Sequence, residues 1–272
     1  MSDIRDYKIL IHGRWTILRQ SRLTGEMLEP LEGPNTVSTA GKNIFLDMMF
    51  GTNSPAATDQ YDNGSTVLKI YDTGDSEVSV SPVACKSGYP DAVDGSHSVD
   101  YWFEDISAAV YDADDLDILN SDSAIVFSTK DATGWSKPAS ENWIYKYTLS
   151  ISRGHVDLDY AGLDLGMKVF TGEANISGNE FGAACEIYVE ANGGSPNTTV
   201  QNTGNGSRTG QTVTQVFVSP VGSHLIEWYD VSVRTPSTHE GGDVVLNKTT
   251  EDFDPSTKPS NVERVYTFTF SV

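Results

Sequence analysis

Cysteine is nearly missing from this sequence, which contains only Cys85 and Cys185. Two cysteines so far apart do not form the disulfide framework of a small secreted protein, nor the cysteine knuckle of a zinc site. Cys185 lies in the apolar run Ala183-Ala184-Cys185-Glu186-Ile187, and these surroundings predict a buried free thiol.

Long apolar runs are lacking as well. No stretch approaches the roughly 18 apolar residues that a membrane-spanning helix needs, so we expect no membrane partner. The first residues have no apolar segment of the kind found in a secretory signal peptide. We therefore expect no signal peptide and synthesis in a cytoplasm.

Basic residues are in short supply, since 18 Lys and Arg stand against 38 Asp and Glu, for a formal net charge of -20. This charge repels nucleic acid and anionic membranes, and we expect neither as a partner. The first 22 residues are the exception, with five basic residues and two acidic ones. We predict that these five bind an acidic partner surface or a neighbouring copy, and the alternative is the solvated face of an edge strand. They are Arg5, Lys8, Arg14, Arg19 and Arg22.

Catalytic motifs are also missing. The sequence contains no G-x-S-x-G elbow, no His-x-x-x-His pair and no G-x-G-x-x-G or Walker loop. Glycoside hydrolysis uses a pair of carboxylates, but a chain with 38 acidic residues always offers such pairs. They are therefore not evidence for a glycosidase. We therefore predict that the protein is not an enzyme.

One acidic run is the candidate metal site, because Ca²⁺ binds closely spaced carboxylate and carbonyl oxygens. The run lacks the Gly and the terminal Glu of an EF-hand, and we interpret it as a solvated acidic loop. We expect no cofactor, with Ca²⁺ as the ion to test. The carboxylates are Asp112, Asp114, Asp115 and Asp117.

Alternation of apolar and polar residues predicts a mainly β protein. The clearest strand is residues 143–151, in which aromatic and aliphatic residues alternate with Lys, Thr and Ser. Short strands separated by Gly and Asn turns predict an antiparallel β-sandwich or a jelly roll. We predict strands at residues 7–17, 67–71, 77–83, 101–106, 108–111, 124–129, 143–151, 167–173, 184–190, 213–218, 225–234, 243–246 and 264–272.

A single short helix is predicted at residues 40–50. Ser38 or Thr39 can cap its N-terminus, Gly51 can end it, and the apolar residues fall at helical spacing. We interpret its apolar face as core. The whole chain is predicted to form one β-rich domain, with a division near residues 135–142 as the alternative. Within it, residues 1–51 form a strand-turn-helix segment that is predicted to serve in docking.

One segment is similar to a known family. The stretch Gly13-Arg14-Trp15-Thr16-Ile17 is followed by an acidic turn and then by Gly33-Pro34-Asn35-Thr36-Val37-Ser38-Thr39-Ala40-Gly41-Lys42-Asn43-Ile44-Phe45-Leu46-Asp47-Met48-Met49-Phe50-Gly51. Residues 10–51 thereby resemble the opening of many tailed-bacteriophage virion proteins. In those proteins an N-x-V-x-x-x-G-x-N segment leads into a short LLDxLFG-type helix after one or two strands.

The resemblance implies a structural component of a phage particle: a tail protein, a head–tail-joint protein or a capsid decoration protein. It implies that the partners are other virion proteins, that the chain forms a homo-oligomer within the particle, and that the virion is its location. The alternative is a carbohydrate-binding or host receptor-binding protein, suggested by Trp102 and Trp135 in turn-rich surroundings.

Overall fold

The computed structural model describes residues 3–93, 96–175, 181–182, 185–191, 198–201, 206–219, 228–235, 244–250 and 264–272. Over these residues the protein is mainly β, which confirms the predicted fold class. The chain divides into two compact units. Unit 1 contains Met1–Leu10, Asn43–Ala56 and Ser152–Val272, and unit 2 contains Ile11–Lys42 and Ala57–Ile151.

The described residues contain strands and two α-helices, numbered along the chain. The helices are α1 (Thr39–Phe50) and α2 (Tyr160–Thr171). The strands are β1 (Asp3–Ser21), β2 (Met27–Pro34), β3 (Thr36–Val37), β4 (Thr66–Tyr71), β5 (Val83–Ala84), β6 (Asp91–Ala92), β7 (Ser98–Asp105), β8 (Tyr111–Asn120), β9 (Val126–Lys137), β10 (Glu141–Arg153), β11 (Glu186–Ala191), β12 (Thr198–Gln201), β13 (Ser207–Thr209), β14 (Thr212–Ser219), β15 (Trp228–Arg234), β16 (Val245–Thr250) and β17 (Arg264–Ser271).

Unit 2 is built from two sets of strands. One runs in the order β1-β10-β7-β6 with β2 paired to β1, and the other in the order β3-β9-β8-β4-β5. Their buried faces meet around Tyr147, whose ring centroid lies 5.1 Å from that of Trp15, 6.2 Å from that of Tyr101 and 6.4 Å from that of Phe127. These four rings come from β10, β1, β7 and β9, so unit 2 has the aromatic core of a sandwich.

The strand at residues 143–151 was predicted correctly, and β10 buries alternate residues along its length. The alternative division near residues 135–142 falls inside unit 2, at the connection between β9 and β10.

Unit 1 contains the order β13-β14-β17-β1 and a second sheet in the order β12-β11-β15-β16. The last strand, β17, pairs with β14 on one side and runs parallel to the start of β1 on the other. The predicted strand at residues 264–272 is therefore confirmed, and it is paired on both sides within a sheet. The ring of Phe270 lies 5.4 Å from that of Tyr7 and 4.9 Å from that of Phe50.

Helix α1 confirms the predicted helix. Ser38 caps it, because its Oγ accepts a hydrogen bond from the backbone N–H of Gly41 at 2.8 Å. Gly51 ends it with a positive φ of 61°. Phe45, Met48 and Met49 are fully buried, so the apolar face of the helix is core, as interpreted from the sequence.

The predicted strand at residues 167–173 is wrong, because most of it belongs to α2. Asp159 caps this helix by accepting a hydrogen bond from Ala161 N–H at 2.8 Å, and Gly172 ends it at a φ of 78°. A short apolar run is ambiguous between a strand and a buried helix, and these two end signals resolve it.

Both cysteines are buried free thiols, as the surroundings of Cys185 predicted. Burial raises the pKa of Cys85 to about 11. Within the part of the chain that the structure describes, neither helix has the length and apolar character needed to cross a membrane.

Candidate functional site

Two of the five basic residues predicted to bind a partner already pair with carboxylates of unit 2. Arg14 on β1 forms an exposed ion pair with Glu32 on β2. Arg19 donates from Nε to Glu141 Oε2 at 2.8 Å and from Nη2 to Glu141 Oε1 at 2.6 Å. This two-point hydrogen bond raises the pKa of Arg19 and lowers that of Glu141.

The other three basic residues occupy separate positions. Arg22 donates from Nη1 to the carbonyl oxygen of Ile106 at 2.7 Å. Lys8 is exposed, and its carbonyl oxygen accepts the backbone N–H of Gly154 at 2.8 Å. Arg5 lies in β1, and its side chain is outside the part that the structure describes. Arg14 and Arg19 form ion pairs within the chain. Docking through this basic segment stays a prediction.

The acidic run is a strand and not the solvated loop that the sequence suggested. Residues 112–117 lie in β8, whose pairing with β9 shifts register between Ala113 and Asp115. This irregularity places Asp114 and Asp115 together, and their oxygens lie within 4.8 Å of each other and of Asp75. Asp112 and Asp117 do not belong to this cluster.

Asp75 was missed because it comes from the turn after β4, far away in sequence. Its positive φ of 56° is an unusual conformation that Asp tolerates better than most residues. Burial, followed by the charges of Asp114 and Asp117, raises the pKa of Asp115. Burial also raises the pKa of Asp117, against the opposing effects of Thr129 and Lys69. Three carboxylates can attract a cation, but Ca²⁺ needs about six to eight oxygens.

The two tryptophans named as candidate sugar-binding residues differ in their surroundings. The ring of Trp102 stacks on that of Tyr89 with centroids 5.4 Å apart, so a protein ring covers one of its faces. The ammonium of Lys130 lies 5.2 Å from the ring centroid of Trp135. A cavity of about 420 Å³ opens near Trp135 and is lined by Gly13, Arg14, Glu32 and Gly33.

Residues of the segment that resembles phage virion proteins have identifiable structural roles in unit 2. The amide Nδ2 of Asn35 donates to Ser128 Oγ and, at 3.4 Å, to Tyr147 Oη. A β-carbon on Gly13 would collide with the same Tyr147 and Asn35 side chains. A β-carbon on Gly41 would lie 2.7 Å from Cδ2 of Phe127. Glycine is therefore required at both positions by close approach of neighbours.

Asp47 of the same segment lies in unit 1 and is buried there. It accepts hydrogen bonds from Arg208, from Nε to Oδ1 at 2.7 Å and from Nη2 to Oδ2 at 3.0 Å. The side chains of Thr52 and Asn53 also donate to Asp47 Oδ1. The carboxylate thus fastens the end of α1 to β13, which is a structural role.

A buried polar network in unit 2 was not foreseen from the sequence. Asp105 Oδ2 accepts from Tyr111 Oη at 2.8 Å and lies 3.4 Å from Lys137 Nζ. Tyr111 Oη is also 2.6 Å from Tyr145 Oη. Burial alone raises the pKa of Asp105, but the hydrogen bonds from Ser107 and Tyr111 and the charge of Lys137 outweigh it and lower the pKa. The carboxylate is therefore ionised and fully paired.

No protein-family model, no curated protein and no solved structure matches the chain.

Proposed function

We propose that the chain is a structural component of a tailed-phage particle that acts by binding other virion proteins. Its position in the particle is the tail, the head–tail joint or the capsid surface. One observation carries the proposal. Within residues 33–51, several of the residues that produce the resemblance are also residues whose identity the fold constrains.

The constrained positions matter because a local fold that needs these side chains dictates their identity in any chain that adopts it. Asn35 bonds to Ser128 and Tyr147, Gly41 has no room for a side chain, and Asp47 binds Arg208. Each of these residues belongs to the pattern that phage virion proteins share with this chain. A pattern composed of such residues supports a common local fold.

Purified particles provide the test. Phage particles banded in a density gradient would be analysed by mass spectrometry and labelled with gold-conjugated antibody raised against this chain. We expect the protein in the particle band, with gold at one defined location. Particles from a phage with the gene deleted are the control for antibody specificity. Particles that contain none of the protein would contradict the proposal.

Glycan binding is a second candidate, and the cavity near Trp135 is the observation that favours it. Aromatic rings beside charged and polar groups are typical of sugar sites, and Arg14 and Glu32 line this cavity. A glycan array should then show binding by the natural protein that is lost in Trp135→Ala and retained in Trp102→Ala. Signals at background for the natural protein would exclude this candidate.

A further inference from the structure

Lys137 and Asp105 bring an amine and a carboxyl group into contact in the interior of unit 2. The two side chains are 0% and 2% exposed, and Nζ of Lys137 lies 3.4 Å from Oδ2 of Asp105. A charge-assisted hydrogen bond between such groups is shorter, at about 2.7–2.9 Å. The two groups are therefore neighbours without the short hydrogen bond of an ordinary ion pair.

The hydrogen bonds of Lys137 are made to the backbone instead. Nζ donates to the carbonyl oxygens of Ser107 at 2.8 Å and of Ala109 at 3.3 Å. An ammonium group has three N–H bonds. Loss of one proton leaves two N–H groups for these two carbonyls and a lone pair for attack on the neighbouring carboxyl carbon.

The two carboxylate oxygens of Asp105 have different partners. Oδ1 accepts from the backbone N–H of Ser107 at 2.9 Å and from its hydroxyl at 2.6 Å. Two donors on one oxygen stabilise the negative charge that develops in a tetrahedral intermediate. Oδ2 accepts from Tyr111 Oη at 2.8 Å, and Tyr145 Oη lies 2.6 Å from Tyr111 Oη. Oδ1 is thus placed to become the amide oxygen, and Oδ2 is placed to leave with a proton.

We propose that Lys137 and Asp105 condense to an intramolecular isopeptide bond that joins the end of β9 covalently to the end of β7. A proton passes from the Lys137 ammonium to Oδ2, and Nζ attacks Cγ of Asp105. Tyr111 donates a second proton to Oδ2 and regains one from the nitrogen, the Cγ–Oδ2 bond breaks, and water leaves. One ammonium and one carboxylate become one neutral amide and one water molecule, so atoms and charge balance and no oxidant is needed.

The buried surroundings favour this condensation. An ion pair is costly to keep away from water, and its conversion to an amide removes both charges. Groups held in contact react as though present at effective concentrations of about 10⁵–10⁸ M, which opposes hydrolysis of the product. The ring of Trp143 lies 6.3 Å from that of Tyr111 and 5.9 Å from that of Tyr145, so the reacting groups have aromatic neighbours. Burial raises the pKa of Tyr111, which keeps its hydroxyl protonated as a donor.

A second ion pair of unit 2 shows what contact alone does not supply. Nζ of Lys146 lies only 2.7 Å from Oδ2 of Asp100, but the Lys146 side chain is 32% exposed. Water therefore stabilises its ammonium, and the short contact is an ordinary ion pair, so Lys146 is the matched control. The inference goes beyond the proposed function, because a bond within one chain forms wherever that chain folds.

Mass spectrometry of the purified natural protein is the decisive experiment. Condensation removes one water, so the intact mass should be about 18 Da below that of the sequence, apart from removal of the initiator methionine. Trypsin does not cut between Lys137 and Pro138, and it places Asp105 and Lys137 in separate peptides, residues 87–130 and 131–146. We expect these peptides as one cross-linked species, with fragments that place the bond at Asp105 and Lys137. An intact mass equal to that of the sequence, or a loss of water confined to one peptide, would overturn the proposal.

Substitutions identify the reacting groups. Lys137→Met removes the nucleophile and Asp105→Ala removes the carboxyl group, and each variant should have the full mass of its sequence. Lys146→Met should retain the loss of about 18 Da. A loss of water that persists in Lys137→Met would overturn the proposal. The mass of the natural protein decides the question even where a variant does not fold.

Tyr111→Phe tests the proton transfer, because it keeps the ring and removes the hydroxyl that donates to Asp105. A positioned proton donor contributes about 10²–10⁴-fold to a rate, so the cross-link should form at least about a hundredfold more slowly. Protein made by cell-free synthesis and sampled over time gives the rate from the ratio of the two masses, and circular dichroism checks that the variant is folded. Equal rates in the variant and the natural protein would overturn the step assigned to Tyr111.

Discussion

The ammonium of Lys137 lies 3.4 Å from the carboxylate of Asp105, and the two side chains are 0% and 2% exposed. A buried ion pair is tolerated only when its remaining hydrogen-bonding capacity is filled. Here the carbonyls of Ser107 and Ala109 accept from Lys137, while Ser107 and Tyr111 donate to Asp105. The pair therefore connects the end of β9 to the loop that follows β7.

Removing one partner of this pair should be costly. Asp105→Ala leaves the Lys137 ammonium buried beside no carboxylate, and we expect a loss of about 3–5 kcal/mol in the free energy of unfolding. Urea denaturation followed by tryptophan fluorescence measures it. The control on the same strand is Glu104→Gln, whose partner Lys86 is exposed, and which should change stability far less than Asp105→Ala. Equal losses in the two variants would show that the network does not stabilise the fold.

Gly41 should not accept alanine, even though alanine is the better helix former. The added β-carbon would lie 2.7 Å from Cδ2 of Phe127, and the resulting overpacking should cost about 1–3 kcal/mol. Gly64→Ala is the matched control, because the atom nearest to its β-carbon is 3.6 Å away. Thermal melting of the two variants gives the comparison. An unchanged melting temperature for Gly41→Ala would contradict the structural role assigned to this glycine.

Charge reversal should destabilise the protein more at Arg19 than at Arg14. Arg19→Glu removes two hydrogen bonds to Glu141 and brings two carboxylates together, so we expect a loss of about 1.5–3 kcal/mol. Arg14→Glu disrupts only an exposed pair and should change stability by less than about 1 kcal/mol. Chemical denaturation of the purified variants distinguishes them. If Arg19→Glu is as stable as the natural protein, Arg19 does not stabilise the fold through Glu141 and is available to bind a partner.

Asp115→Asn should stabilise the protein at neutral pH. The folded state raises the pKa of Asp115, so its protonated form is favoured by folding and its ionised form is disfavoured. The stability that this group contributes is present below its unfolded pKa and is lost as the pH rises through its folded pKa. The gain from Asp115→Asn should therefore be seen at pH 7 and should shrink on acidification towards pH 3. A gain that is independent of pH would rule out this electrostatic cause.

Calcium should have no specific effect on stability. Asp75, Asp114 and Asp115 converge, but three carboxylates supply fewer oxygens than Ca²⁺ prefers. We expect equal melting temperatures in buffer with Ca²⁺, with Mg²⁺ and with a chelator. A rise with Ca²⁺ alone, lost in Asp114→Asn, would establish a calcium site.

The reach of sequence-based prediction varied with the kind of signal. Strand β10 was predicted because its alternation is long and unbroken, and α1 because Ser38 and Gly51 mark its ends. Helix α2 was missed although Asp159 and Gly172 mark it equally well, because the apolar run at residues 167–173 was taken for a strand. The acidic run was taken for a loop, since its charges obscured the alternation that Leu116 and Ile118 maintain.

The amino-acid sequence by itself determined the β-rich class, the alternating pattern of β10, the first helix and the acidic character of the protein. These follow from local periodicity, end signals and composition, which need no knowledge of distant contacts. Only the tertiary structure decided that Asp75 joins Asp114 and Asp115, that Lys137 lies beneath the loop after β7, and that this loop turns its apolar side chains outward. These relationships join residues far apart in sequence, and strand pairing sets them through contacts that a local pattern does not encode.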